Sequence, residues 1–171
     1  MGSVWRRVLG LCLPPLVFCA LDGLLTLAGQ SAEYWAGIYA AVDEVSPTFN
    51  HLLRLHPAAF AVGILVWAAV FVGILLLLPD TPALIVSIAV TFGHTVGAAT
   101  WLLFRFQYSY QVANGLFLLS AVLLGLGIRC GWQAAPAQAY RLTGWHPVLR
   151  WALVVVLFGV GMYLFVWPRS P

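Results

Sequence analysis

The feature that most constrains the fold is an apolar run as long as a lipid bilayer is thick. Residues 58–78 carry no charged side chain, and the Trp67 indole is the only hydrogen-bonding side chain among them. About 20 apolar residues in a helix cross the hydrocarbon core of a bilayer. Pro57 stands where the first helical turn begins, and Pro79 follows the run. This segment therefore predicts a transmembrane helix.

Four further runs have the same character, and the composition agrees with a polytopic membrane protein. Hydrophobic residues make up 63% of the chain and charged residues 8%, whereas a soluble domain is about 25% charged. We predict one domain, residues 1–171, that is an all-α integral membrane helix bundle with five transmembrane helices. The predicted spans lie at about 8–28, 58–78, 83–104, 112–128 and 148–167.

The arginines predict the orientation of these spans. All eight basic residues are arginine, and five would be cytoplasmic if the N-terminus is inside: Arg6, Arg7, Arg129, Arg141 and Arg150. Because short cytoplasmic loops are enriched in basic residues, we expect a multi-pass protein of the bacterial inner membrane with a cytoplasmic N-terminus. The arginines lie at helix ends rather than in one cluster, so no nucleic-acid partner is expected.

The long connection at residues 30–57 predicts a helical cover rather than a flexible linker, because it contains little glycine or serine. Ser31 suits a helix N-cap, and Glu33 suits the first turn. Apolar and aromatic residues follow at helical spacing: Tyr34, Trp35, Ile38, Tyr39 and Val42. We expect two short helices in the membrane interface over the outer end of the bundle, the second starting at Ser46-Pro47. A cover without any site is the alternative.

Two polar residues stand out inside the predicted spans. Asp22 is the only acid within a span, and His94 is the only histidine near the middle of the membrane. A carboxylate at such depth costs about 2.5–3.5 kcal/mol on insertion scales and usually faces a partner in the bundle. We expect Asp22 to contact the third span, with His94 as the strongest donor. Helical rise would set His94 about 6 Å deeper, a gap that Thr91, Thr95 or a water could bridge.

The face that carries His94 is built of small and polar residues, and Gly93 and Gly97 flank His94 as a GxxxG pattern: the face is Ser87, Thr91, His94, Thr95 and Ala98. Such a face predicts close packing against a neighbouring helix. A packing helix whose histidine makes a single hydrogen bond is the plain interpretation of this pattern.

A site would form if the loop residues Asp43, Glu44, Asn50 and His51 closed over Asp22 and His94. Carboxylate and imidazole groups together move protons or hold metal ions. The candidate catalytic residues are therefore Asp22, Glu44 and His94, and the candidate metal ligands are Asp22, Glu44, His51 and His94. The sequence contains no HExxH, GxSG or Walker motif. A bis-histidine haem is disfavoured because only His94 lies deep, and the sequence identifies no cofactor.

An Asp in the first span, a Thr four residues later and an acidic-x-Ser-Pro element form a longer pattern, carried by Asp22, Thr26, Glu44, Ser46 and Pro47. This pattern resembles small polytopic bacterial membrane proteins of unknown function, in which the element is usually Glu-x-Asn-Pro. The resemblance covers about the first third of the chain, and Ser46 departs from the usual Asn. No activity is established for that family, so the resemblance implies no chemistry.

Three functions are compatible with these features. The first is a non-catalytic scaffold, assembly factor or small subunit of a larger complex, in contact with lipid and with a membrane-protein partner or a second copy of the chain. Small size and few polar groups favour it. The second is an intramembrane enzyme, metal site or proton site that uses Asp22, Glu44 and His94. The third is a small transporter, which the lack of polar lining on the second and fifth spans disfavours.

Overall fold

The computed structural model describes residues 3–132 and 147–165, and within these ranges all regular structure is helical. Seven α-helices and one π-helical turn follow one another: α1 (Ser3–Ala28), α2 (Ala32–Trp35), α3 (Pro47–Leu55), α4 (Pro57–Leu77), α5 (Asp80–Thr100), the π-helical turn (Trp101–Arg105), α6 (Tyr110–Trp132) and α7 (Pro147–Phe165). The predicted all-α class is confirmed for this part of the chain.

Four of the described helical segments are long and apolar enough to cross a membrane: Val8–Ala28, Pro57–Leu77, Thr81–Arg105 and Tyr110–Cys130. The chain is a multi-pass membrane protein, and these segments coincide with the first four predicted spans. The fourth begins two residues earlier and ends two residues later than the predicted span 112–128. Helix α7 covers most of the fifth predicted span, 148–167. Its crossing of the membrane stays a prediction, as does the orientation of the bundle.

Prolines set the ends of α4 as the sequence predicts. His56 is the N-cap residue, its ring Nδ1 accepts a hydrogen bond from the Ala58 N–H at 3.0 Å, and Pro57 occupies the first turn. Leu78 is extended, at φ −74° and ψ 147°, the conformation favoured before a proline. Only Leu78 and Pro79 separate α4 from α5, so these helices form a hairpin.

Helix α1 is the centre of the bundle and packs against α4, α5 and α6. It runs parallel to α5: the Ser87 hydroxyl donates to the Leu11 carbonyl at 2.7 Å near one end, and Gly29 lies against the Trp101 ring near the other. On its α6 side, a Cβ atom at Gly127 would collide with the Gly10 carbonyl. Close backbone approach of this kind is how membrane helices pack without a hydrophobic driving force.

The small-residue face of α5 packs inside the bundle, as predicted. Its buried members are Ser87, Thr91, Thr95 and Ala98, while Ile85, Phe92 and Val96 on other faces are exposed. The two threonines donate to carbonyls one turn back, at 2.7 Å each. Their hydroxyl groups are therefore satisfied within α5.

The connection at residues 30–57 contains two short helices, but the first is shorter than the aromatic spacing predicts. Helix α2 is a single turn because Gly37, at φ 97°, ends it. The Gly37 N–H donates to Tyr34 O and the Ile38 N–H donates to Glu33 O, which forms a Schellman motif. Tyr39 and Val42 therefore lie in irregular chain rather than on a helix. The position of this segment in the membrane interface stays a prediction.

The connection is nevertheless tied firmly to the bundle. Tyr34 is fully buried, packs with Leu53 and Phe60, and donates a hydrogen bond from its hydroxyl to the Leu53 carbonyl at 3.0 Å. The buried Gln30 side chain accepts from the Asp43 N–H at 2.9 Å and donates to the Asp43 carbonyl at 3.3 Å. These contacts fix residues 42–46 over one end of the helices, which we call the loop end.

Candidate functional site

Three polar side chains from three helices form a hydrogen-bonded chain at membrane depth. Asp22 lies on α1, Trp67 on α4 and His94 on α5, each within a segment that is able to span a membrane. The Nδ1 atom of His94 lies 2.8 Å from the Asp22 Oδ2 atom, and the Trp67 indole N–H donates to His94 Nε2 at 2.9 Å. Asp22 and His94 therefore meet directly.

This arrangement fixes the protonation of the imidazole. An indole nitrogen is a donor only, so His94 Nε2 must accept and carries no proton. The proton of a neutral ring then sits on Nδ1 and is donated to the Asp22 carboxyl group. A doubly protonated ring would set its Nε2–H against the Trp67 N–H. His94 is therefore neutral while the Trp67 bond holds.

The other Asp22 oxygen, Oδ1, accepts no hydrogen bond from the residues that the structure describes. The Asp22 side chain is 21% exposed and that of His94 11% exposed, so the pair is mostly enclosed but not sealed. Asp22 lines an open cavity and Oδ1 is not among the fully buried unpaired oxygens of the described chain, so a ligand can reach this atom. It is the natural place for a ligand group to bind.

Gly97 gives the Asp22 side chain its room. A Cβ atom at Gly97 would stand 2.6 Å from Oδ1 and 2.7 Å from Oδ2 of Asp22, well inside van der Waals contact. Gly93, one turn earlier on α5, has no atom within 4 Å of such a Cβ position. The two glycines of the GxxxG pattern thus differ: Gly97 admits the carboxylate, and Gly93 borders open space.

That open space is a cavity of about 1010 Å³ at the loop end of the bundle, and Asp22 and His94 line it. Most of its wall is aliphatic or aromatic, from α3, α4, α5, the π-helical turn and the loop: Val42, Val45, Phe49, Phe60, Ile64, Trp67, Ala89, Val90, Trp101 and Phe104. Asp43, Glu44, Ser46, Thr26, Thr100 and Arg105 supply polar groups. Apolar walls with a few convergent polar groups are typical of small-molecule sites.

Glu44 reaches the cavity from the loop. Its carboxylate accepts a hydrogen bond from the Ser46 N–H at 2.7 Å, and Asn50 donates to its backbone carbonyl at 2.6 Å. Burial raises the pKa of Glu44, the Ser46 and Val45 N–H groups lower it, and the nearby Asp22 charge raises it further. Glu44 and Asp22 therefore sense each other electrostatically, although no hydrogen bond joins them.

The cavity rim carries one ion pair. The guanidinium of Arg105 lies 3.7 Å from the Asp43 carboxylate, and both side chains are about half exposed, at 44% and 51%. Arg105 belongs to the π-helical turn, which also brings Trp101 and Phe104 to the cavity wall. Single π-helical turns inside α-helices occur frequently at functional sites.

The predicted site residues are brought together in part. Asp22 and His94 are in contact and Glu44 lines the same cavity, whereas His51 is exposed on α3 and does not line it. In the described residues no three histidine, cysteine, aspartate or glutamate side chains lie close enough to hold a metal ion. The metal and catalytic roles of these residues stay predictions.

The structure contradicts the expectation that His94 lies about 6 Å deeper than Asp22 and that another group bridges the two. The pair is in direct contact because α1 and α5 are parallel with Leu11 beside Ser87 and Gly29 beside Trp101, which brings Asp22 level with His94. Thr91 and Thr95 are bonded to their own helix and do not serve Asp22.

Sequence reasoning missed Trp67 and Arg105 as site residues. Trp67 had a signal: it is the only hydrogen-bonding side chain in an otherwise apolar span, and a buried indole N–H needs an acceptor. Arg105 had none, because its position depends on the π-helical turn.

No family model matches this chain, and no curated protein or solved structure is significantly similar to it. The Asp22–His94–Trp67 chain and its cavity are therefore the features from which a function is inferred.

Proposed function

We propose that this membrane protein binds a small amphipathic molecule in the cavity at its loop end, with the Asp22–His94 pair as the polar anchor. One observation carries the proposal. A carboxyl group with an unpaired oxygen lines an apolar cavity of about 1010 Å³ inside the span region. Ligand pockets have volumes of about 300–1,000 Å³ and combine apolar walls with a few placed polar groups.

The chemistry of the wall favours an amphipathic ligand. The polar anchor lies between α1 and α5, while Phe60 and Ile64 of α4 and Val90 of α5 offer apolar surface beside it. A ligand with a polar head and a hydrocarbon tail would satisfy both regions at once. A fully polar ligand would leave the aromatic and aliphatic wall in contact with water. Binding would then lack the hydrophobic contribution of about 25 cal/mol per Å² of buried apolar surface.

Binding is compatible with the non-catalytic role predicted first. A scaffold or small subunit that bound no ligand would need no cavity. If the Asp22 carboxylate served only in helix packing, a second hydrogen-bond donor would satisfy it better than the open cavity does. A partner membrane protein or a second copy of the chain remains part of the proposal as a binding partner for the outer faces of the helices.

A second candidate is acid–base catalysis on the same ligand, and the tautomer of His94 favours it. A carboxylate that accepts from Nδ1–H holds a histidine in the orientation that general bases use, with Nε2 as the atom that takes a proton. Trp67 occupies Nε2 in this structure. A ligand hydroxyl that replaced the indole N–H there would put the base in contact with its substrate.

Binding is tested with the full chain in lipid nanodiscs and three probes that share a ten-carbon chain, each at submicellar concentration: decyltrimethylammonium, decanol and decanoate. We expect saturable binding of at least one probe, measured by equilibrium dialysis. Gly93→Phe fills the cavity, because Gly93 lines it with open space beside its Cα, and should abolish that binding.

Gly115→Phe is the matched control, since Gly115 on α6 also has open space beside it but does not line the cavity. It should bind like the unmodified protein. Equal loss in both variants, or no saturable binding of any probe, would refute the proposed function.

A further inference from the structure

We propose that the molecule bound in this cavity carries a positive charge: an amphipathic amine or quaternary ammonium compound whose cationic head lies against Asp22. This inference rests on the proposed function and names the class of its ligand. It is carried by one juxtaposition, a carboxyl group whose only protein partner in the described chain is a neutral imidazole, inside a cavity walled by aromatic rings.

No cation of the described chain pairs with the Asp22 carboxyl group. The nearest cation available to it would be His94, but the Trp67 N–H on Nε2 keeps that ring neutral. An ionised carboxylate in a membrane span is normally paired with a cation or reached by water. Asp22 has a hydrogen bond but no counter-charge from the described residues, so a cation on the ligand would complete it.

Acidic groups outnumber basic ones among the other charged residues of the cavity wall. Asp43 and Glu44 also line it, so three of the five acidic residues in the chain border one cavity. Arg105 is the one basic residue among the described lining residues, and it is engaged with Asp43 at 3.7 Å. Asp22 and Glu44 are left without a partner of opposite charge there.

The mutual influence of these two carboxyl groups agrees with this reading. The Asp22 charge contributes to the raised pKa of Glu44, because like charges disfavour each other's ionisation. A cation near both would remove that repulsion. An anionic ligand would add to it, and the one guanidinium at the cavity, Arg105, already faces Asp43.

Aromatic rings form part of the same cavity wall. Phe49, Phe60, Trp101 and Phe104 line the cavity together with Asp22 and Glu44. Aromatic rings attract ammonium groups through their quadrupole, and recognition of quaternary ammonium ligands commonly uses such rings. The same rings provide apolar contact for the hydrocarbon part of the ligand.

The experiment compares the same three probes, which share a ten-carbon chain and differ in head charge. We expect decyltrimethylammonium to bind at least tenfold more tightly than decanol, and decanoate not to saturate the site. Asp22→Asn should weaken binding of the cation at least tenfold, because the amide keeps the acceptor for His94 and loses the charge. Glu44→Gln should weaken it severalfold and tests the idea independently if Asp22→Asn does not fold.

Glu33→Gln is the matched control, because Glu33 is exposed on α2 and does not line the cavity. It changes net charge equally and should leave binding unchanged. Equal weakening by Glu33→Gln would show a bulk charge effect and overturn the inference. If decanol or decanoate binds as tightly as the cation and Gly93→Phe blocks it, amphiphile binding stands and the cationic class is wrong. If no probe binds, both proposals fail.

Discussion

At the scale of single residues, His94 shows how a membrane site controls protonation without an ion pair. Trp67 on one ring nitrogen and Asp22 on the other leave a neutral imidazole as the arrangement that satisfies both bonds. Hydrogen bonds are strong in a medium of low dielectric constant, and breaking them there has a high free-energy cost. Addition of a proton to His94 therefore requires the Trp67 hydrogen bond to break.

Glu44 should give the stability of the protein a pH dependence of definite sign. Its pKa in the folded state is raised from the ordinary value of 4.5, chiefly by burial. The unfolded chain therefore loses its proton first, and the folded state loses stability as pH rises from about 4.5 through the raised pKa. Glu44→Gln lacks this loss and keeps the oxygen that accepts from Ser46.

The measurement is the apparent midpoint of thermal unfolding in detergent between pH 4 and pH 8. Glu44→Gln should match the unmodified protein at the acid end and exceed it progressively at higher pH. A difference that is constant with pH, or that is largest at pH 4, would contradict the assignment of the raised pKa to Glu44.

At the scale of helices, the sequence contains the signals that predict which segments are membrane helices and which helix face is buried. The prolines at residues 57 and 79 bound α4, and the small and polar face of α5 is the buried one. The end of α2 was predictable in principle from Gly37, because glycine adopts a positive φ at low cost. The prediction from the aromatic spacing extended this helix to Val42, and it was wrong because it gave Gly37 too little weight.

The relative height of α1 and α5 could not be predicted from the sequence. It depends on how the small residues of the two helices interlock, as at Gly97, where the Asp22 carboxyl group fills the space of a missing side chain. Apolar runs define where a helix crosses the membrane only to within a turn. An error of one turn, about 5.4 Å, decides whether Asp22 and His94 touch.

Gly97→Ala should disrupt the site, whereas Gly93→Ala should not. The added methyl group at position 97 would fall within 2.8 Å of three Asp22 atoms, while that at position 93 meets nothing within 4 Å. We expect Gly97→Ala to lower the free energy of unfolding by about 1–3 kcal/mol through overpacking and to break the Asp22–His94 bond.

The matched pair is compared by thermal unfolding and by ¹⁵N chemical shifts of the His94 ring, which report the tautomer. Gly93→Ala should retain the Nδ1–H form and the unmodified stability, or gain slightly from the helix propensity of alanine. Equal behaviour of the two variants would mean that Gly97 does not accommodate Asp22 in the membrane.

At the scale of the whole molecule, α1 organises both the bundle and the site. It contacts three of the other long helices and supplies Asp22 to the cavity, and Gln30, two residues after its end, holds the loop at Asp43 through its side chain. Its apolar contacts lie in two clusters on either side, one with α4 and the start of α5, the other with α6 and the end of α5. Three polar residues from α1 and from the loop, Asp22, Thr26 and Glu44, line the same cavity.

The direction from which a ligand reaches this cavity depends on topology. The distribution of arginines predicts a cytoplasmic N-terminus. The loop end of the bundle, which follows α1, would then lie outside. Reporter fusions after Ser31 and after Pro171 should then both read external, and a reporter inserted at Thr81, in the α4–α5 hairpin, should read internal.

An external signal after Pro171 requires α7 to cross the membrane as a fifth span. An internal signal there, with Ser31 still external, would leave an even number of spans and make α7 a helix that packs on α4 without crossing. External Thr81 with internal Ser31 would invert the whole bundle, and the cavity would then receive its ligand from the cytoplasm.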